Sequence, residues 1–167
     1  MTASLLLALF QPFFQGGYLD THRAGMEDVV RSLPSDENIY IAVAEEAFAD
    51  CILNAADPSY LSFERTVDIL KFLLLQDGRS ELGLLEIAEL AYSNPNHAIE
   101  ATNSLAALAL YYRNGGPSIL PSQSLVQRFE KYMGNPDLFH NARECRNALQ
   151  ARLKAEPQAG QHEPSLR

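Results

Sequence analysis

At 167 residues, 47% of them hydrophobic, the chain is long enough for one domain with a sizeable core, and its net charge of −8 is the wrong sign for a nucleic-acid binder. Residues 1–100 carry 16 acidic and 5 basic side chains, a net of −11, whereas residues 101–167 carry 5 and 8, a net of +3. The acidity therefore belongs to the N-terminal three-fifths and points to a basic protein partner, with no nucleic acid and no membrane expected.

Residues 1–10 look like the apolar core of a signal peptide, but no basic segment precedes them and Gln11-Pro12-Phe13-Phe14 is not a small-residue cleavage site. No apolar run approaches the ~20 residues of a membrane span. The segment reads instead as a helix over about 3–15, kinked near Pro12 and stopped by Gly16-Gly17. A cytoplasmic location is expected, with periplasmic export the alternative. Cys51 and Cys145 both fall on apolar helix faces, as buried free thiols do; a long-range disulfide between them stays possible but is not suggested by their spacing.

A second helix, about 20–32, turns Met26, Val29, Val30 and Leu33 inward. The third, about 36–55, places Tyr40, Ala44, Ala47, Cys51 and Ala55 on one side, flanked by Phe48, and Glu46 and Asp50 nearly opposite. Asp57-Pro58 starts the next unit, and a fourth helix over about 61–76 has the stripe Phe63, Val67, Leu70, Leu74. Ser80 is the expected cap of a fifth helix with Leu84, Ile87, Ala88 and Ala91 inward and Glu86 and Glu89 outward. The sixth, about 96–113, carries Ala98, Ala101, Leu105, Leu108 and Tyr112 on one stripe and Ile99, Thr102, Ala106 and Leu110 on a second. Its apolar circumference makes it the expected central helix, with only His97, Glu100, Ser104 and Tyr111 left as a polar strip near the surface. A seventh helix opens at Pro121-Ser122 with Leu125, Phe129 and Tyr132 inward. An eighth opens at Asn135-Pro136-Asp137 with Leu138, Ala142, Cys145, Leu149 and Leu153 inward and Arg143, Arg146 and Arg152 outward.

The fold class is thus all-α: seven to eight helices over a single domain, residues 1–154, with a disordered tail over 155–167 and no convincing strand. Asp57-Pro58, Asn94-Pro95 and Asn135-Pro136 recur at intervals of 37 and 41 residues, and two helices fit each interval. That leaves two arrangements, an antiparallel bundle and a short stack of helix pairs of the HEAT or armadillo kind.

Sequence motifs for phosphate, dinucleotide, zinc-protease or serine-hydrolase chemistry are missing. His97-x-x-Glu100 and Asp137-x-x-His140 each put two ligand types on one helix face, but neither has the order a di-iron site requires. No catalytic residue, metal or cofactor is expected. The partner surface is expected at Glu46, Asp50, Glu86 and Glu89, acids set among aliphatic side chains, with Tyr111 as an exposed contact.

In size, charge and helix content the chain resembles small acidic, all-helical bacterial immunity proteins. No motif carries that likeness, and no residue role transfers with it. It implies stoichiometric binding that blocks a basic toxin. An adaptor or chaperone-like scaffold is the alternative, as is a small helical enzyme or ligand carrier. The last would show a pocket lined by His97 and Glu100 with a carboxylate from another helix.

Overall fold

A computed structural model describes the backbone of residues 1–53 and 57–165 and the side chains of residues 1–53 and 61–155. Among these residues the chain forms eight α-helices and one small hairpin, an all-α architecture.

The first helix, α1 (Ala3–Phe10), starts under Thr2, whose hydroxyl accepts the Leu5 N–H at 3.0 Å. It is shorter than expected. At Pro12 the chain tightens into a 3₁₀ turn, Gln11–Phe13, and then pairs β1 (Phe14–Gln15) with β2 (Tyr18–Leu19) in an antiparallel hairpin. Gly16 and Gly17 both adopt positive φ, 59° and 91°, so they form the hairpin's tight turn instead of a helix stop. The next helix, α2 (Met26–Ser32), begins late as well, after a loop ending in Gly25 at φ 89°. Arg79 closes its far end by donating to the carbonyls of Val30 (3.0 Å) and Leu33 (2.7 Å).

Six helices then follow as three consecutive pairs: α3 (Glu37–Leu53) with α4 (Asp57–Asp77), α5 (Glu81–Tyr92) with α6 (Ala98–Arg113), and α7 (Ser122–Tyr132) with α8 (Phe139–Ser165). Each of the three Asp/Asn-Pro turns falls between the members of one pair, or opens the second member. Across pairs, α3 packs on α5, α4 on α6, and α6 on α8. Successive pairs thus pack on one another, with the second members α4, α6 and α8 in one continuous layer. The segment α1–β1–β2–α2 lies over α4, with α1 also reaching α3. One buried cluster runs from Ala3 to Leu149, through every helix. Of the expected tail, 155–167, only residue 155 has a described side chain.

The most enclosed helix is α5, not α6: none of its twelve residues is exposed. It meets α3 so closely that a Cβ on Gly83 would stand 3.0 Å from both the Cβ and the backbone oxygen of Tyr40. Its first turn is capped from another helix. The Glu37 carboxylate accepts the N–H groups of Ser80 (2.9 Å) and Leu82 (3.2 Å), while the expected cap, the Ser80 hydroxyl, donates to the Leu70 carbonyl at 2.5 Å.

In α6 the rotation about the helix axis differs from expectation. The stripe Ala101, Leu105, Leu108, Tyr112 is buried as predicted, but its buried neighbour is Glu100, Ser104, Ala107, Tyr111. The apolar stripe expected beside it is outside, with Ile99 65% and Leu110 39% exposed. Both flanks have the same period, so spacing alone could not choose between them. The buried flank carries the small Ser104 and Ala107, which let neighbouring helices come close.

Candidate binding site

The five acids and aromatics singled out from sequence do not gather into one patch. Glu46 is half-buried against α1, where its carboxylate accepts the Ala3 N–H at 3.1 Å. That is a helix-capping role, aided by the positive end of the α1 dipole. Asp50 is exposed and is followed along α3 by the exposed Ile52 (48%) and Leu53 (79%), so the mixed acidic and aliphatic face expected on this helix is present at its C-terminal end.

Glu86 and Glu89 stand together on α5, and Glu45 of α3 joins them. Burial, and then the neighbouring Glu45 carboxylate, push the Glu86 carboxyl above its ordinary value, with Arg128 pulling the other way. Glu89 is tied to α7. It accepts from Lys131 Nζ at 2.7 Å and from the Tyr132 hydroxyl at 2.8 Å, and Arg128 Nε stands at 3.7 Å. Burial pushes its carboxyl up, but the Lys131 and Tyr132 hydrogen bonds and the two cations outweigh this and hold it below the usual range. These contacts tie α5 of the second pair to α7 of the third, so Glu89 is already satisfied within the chain.

Tyr111 corrects the expectation of an exposed contact. It is 8% exposed, its ring packs on Gly116, and its hydroxyl donates to the Pro117 carbonyl at 2.6 Å. The outward arginines of α8 also have a correction among them: Arg152 donates to the carbonyls of Tyr112 (2.8 Å) and Gly116 (2.6 Å), pinning the end of α6.

The most unusual chemistry lies elsewhere, in a groove between α4 and α6 that the β1–β2 hairpin covers. It holds an open pocket of about 370 Å³, within the ~300–1,000 Å³ range of ligand sites. Three carboxylates line it: Glu64 and Asp68, one turn apart on α4, and Glu100 from α6. The rim is apolar, made by Tyr18 of the hairpin (78% exposed), Leu61 (40%) and Ile99 (65%).

Glu100 is 1% exposed, and neither carboxylate oxygen has a hydrogen-bond partner. Withdrawing an ionised carboxylate from water without a donor carries an effective penalty of several (~3–5) kcal/mol. Its charge reaches its neighbours. Burial, then Glu100, then Asp68 raise the Glu64 carboxyl, and burial followed by Glu100 raises the Cys51 thiol. Burial also raises Asp68, tempered by Lys71. His97 stands aside, edge-on to the rings of Phe48 (5.3 Å) and Phe63 (5.8 Å). The ligand-carrier alternative expected His97 and Glu100 in one pocket with another helix's carboxylate; this groove has Glu100 with Glu64 and Asp68 of α4, but His97 is not in its lining.

Among the described residues no three His, Cys, Asp or Glu side chains converge tightly enough to hold a metal ion, and no helix is long and apolar enough to cross a membrane. Sequence reading passed over Glu64 and Asp68, although two acids one turn apart beside a core stripe were a visible signal. It placed Glu100 at the surface because the phase of α6 was undecided. Comparison with protein-family models, curated proteins and solved structures finds no match to this chain.

Proposed function

We propose that the chain is a stoichiometric binding module for a basic protein partner, in its most concrete form an immunity- or antitoxin-type protein that neutralises a toxin by occupying it. The observation that carries this reading is the α4–α6 groove: three carboxylates, Glu100 among them without a hydrogen-bond partner among the described residues, ringed by exposed Tyr18, Leu61 and Ile99. Apolar anchors around a desolvated charge are the make-up of an interface centre. The acidity of residues 1–100 adds long-range attraction for a cationic surface. The exposed Asp50, Ile52 and Leu53 of α3 extend the same mixture of acid and aliphatic side chains.

The test is affinity capture at low and high salt with the unaltered chain and with Ile99→Arg, which sets a cation and bulk on the rim. The expected result is one basic protein, retained in equimolar amount at low salt, released by salt and lost with Ile99→Arg. Equal capture by both chains would move the interface off this groove. A second reading, a carrier for a small organic cation, is favoured by the pocket volume beside Glu100. It predicts a co-purifying small molecule in place of a protein.

A further inference from the structure

We propose that the cavity between α4 and α6 is a receptor for one guanidinium group, with Glu100 at its base, Glu64 and Asp68 on its wall and Tyr18 over its mouth. This deepens the binding reading above and rests on it for the source of the group, but not for the chemistry of the site.

The first ground is Glu100 itself. An acid that is 99% buried, with both oxygens unpartnered and its residue in the lining of the groove, is a half-made ion pair. No cationic side chain among the described residues is seen to complete it. Arg65, next to Glu64 in sequence, lies over the Phe14 ring at 5.0 Å and against Gln11 at 3.5 Å. Lys71 is felt by Asp68 and is not part of the cavity lining.

The second ground selects the cation. The carboxylates come from two helices and do not converge on a single point, which is unfavourable for a metal ion. A guanidinium is planar and presents five donors in a fork, so it can meet separated carboxylates at once. It is also more weakly hydrated than an ammonium, and so enters a dry site at lower cost. The exposed Tyr18 ring supplies a π-face at the mouth, where a guanidinium or the stem behind it can stack. The turn glycines Gly16 and Gly17, both at positive φ, line that mouth beside Tyr18 with no side chain of their own in the way.

The same group has two sources, an arginine side chain of a protein partner and a free small-molecule guanidine, and the experiment separates them. The full chain is titrated with n-butylguanidinium, n-butylammonium and the blocked peptide acetyl-Gly-Arg-Gly-amide, reading backbone amide shifts by NMR. The expected result is saturable shifts confined to the hairpin, to residues around 64–68 and to residues around 99–103. Butylguanidinium should bind more tightly than butylammonium, and Glu100→Gln should weaken it roughly 30-fold, with amide positions elsewhere unchanged. Asp68→Asn, at the wall, should weaken it less.

Peptide binding equal to that of butylguanidinium assigns the site to a partner's arginine. Rejection of the peptide with retention of butylguanidinium assigns it to a free guanidine. No saturable shift at these amides, or equal affinity in Glu100→Gln, overturns the assignment. Failure here with intact partner capture removes the guanidinium site alone. Saturable binding here without any captured protein removes the protein-partner reading alone.

Discussion

A carboxylate removed from water is tolerated where a donor or cation meets it, and three acids of this chain show the contrast. Glu81, 2% exposed, accepts from the Tyr112 hydroxyl at 2.6 Å and from the Ile119 N–H at 3.2 Å, fastening α5 to α6 and to the loop beyond it. Glu46 caps α1. Glu100 has neither kind of partner. Substitutions should therefore act in opposite directions. Glu46→Ala removes a cap and should lower stability by about 1 kcal/mol, whereas the exposed Asp50→Lys should stay within about 0.5 kcal/mol. Glu100→Leu removes an unsatisfied charge and should raise the stability of the free protein by about 1–3 kcal/mol, seen as a rise of ~2–4 °C in Tm per kcal/mol. Thermal unfolding of the three variants checks all of this. A fall in Tm for Glu100→Leu would mean that Glu100 holds the fold together, and a gain there accompanied by lost binding is the trade-off expected of a residue kept for function.

At the scale of elements, the tie between α5 and α7 depends on Glu89. Its carboxyl sits below the ordinary 4.5 despite burial, through Lys131, Tyr132 and Arg128, while Glu86 and, through it, Glu45 lie on the acidic side of the same cluster. A depressed carboxyl stabilises the fold fully above its unfolded value, and that contribution disappears as pH falls through the folded value. Acid unfolding monitored by Tyr fluorescence should therefore lose stability below about pH 4.5, and Glu89→Gln should flatten that limb while lowering stability at neutral pH. An unaltered acid limb in Glu89→Gln would assign the loss to other carboxyls. This tie was only half legible in the sequence. The 3.6-residue period identified the inward residues of α3, α4, α5 and α7, and the Asp/Asn-Pro turns marked the pairs, because both signals are local. The partner of Glu89 lies 42 residues away on α7, and no local pattern specifies a contact of that range. The same limit explains α6. Two stripes of equal period flank its core face, and the choice between them was made by packing, which put Glu100, Ser104 and Tyr111 inside and left Ile99 and Leu110 out.

Across the whole molecule the charge is under strain of one sign. The net charge is −8, and the carboxyls of Glu64, Asp68 and Glu86 are all raised, with burial the first cause in each and another carboxylate adding to it at Glu64 and Glu86. For an acid raised in the fold, the sign is the reverse of that at Glu89. Folding is favoured while the group is protonated, and stability is lost as pH rises from the unfolded value through the folded one, because ionisation is harder in the folded state. Lys71 at Asp68 and Arg128 at Glu86 offset the burial only in part, so screening or an external cation relieves these groups further. Raising NaCl from about 0.01 M to about 1 M shortens the screening length from ~30 Å to ~3 Å, so Tm at neutral pH should rise with salt. The rise should shrink near the ordinary carboxyl values of 3.8 to 4.5, where the charges begin to disappear. A Tm indifferent to salt at neutral pH would mean that the acids are balanced within the fold. A salt-dependent Tm, with Glu100→Leu showing a smaller salt response than the parent chain, would locate part of the imbalance at the α4–α6 groove, where a partner's cation can offset it.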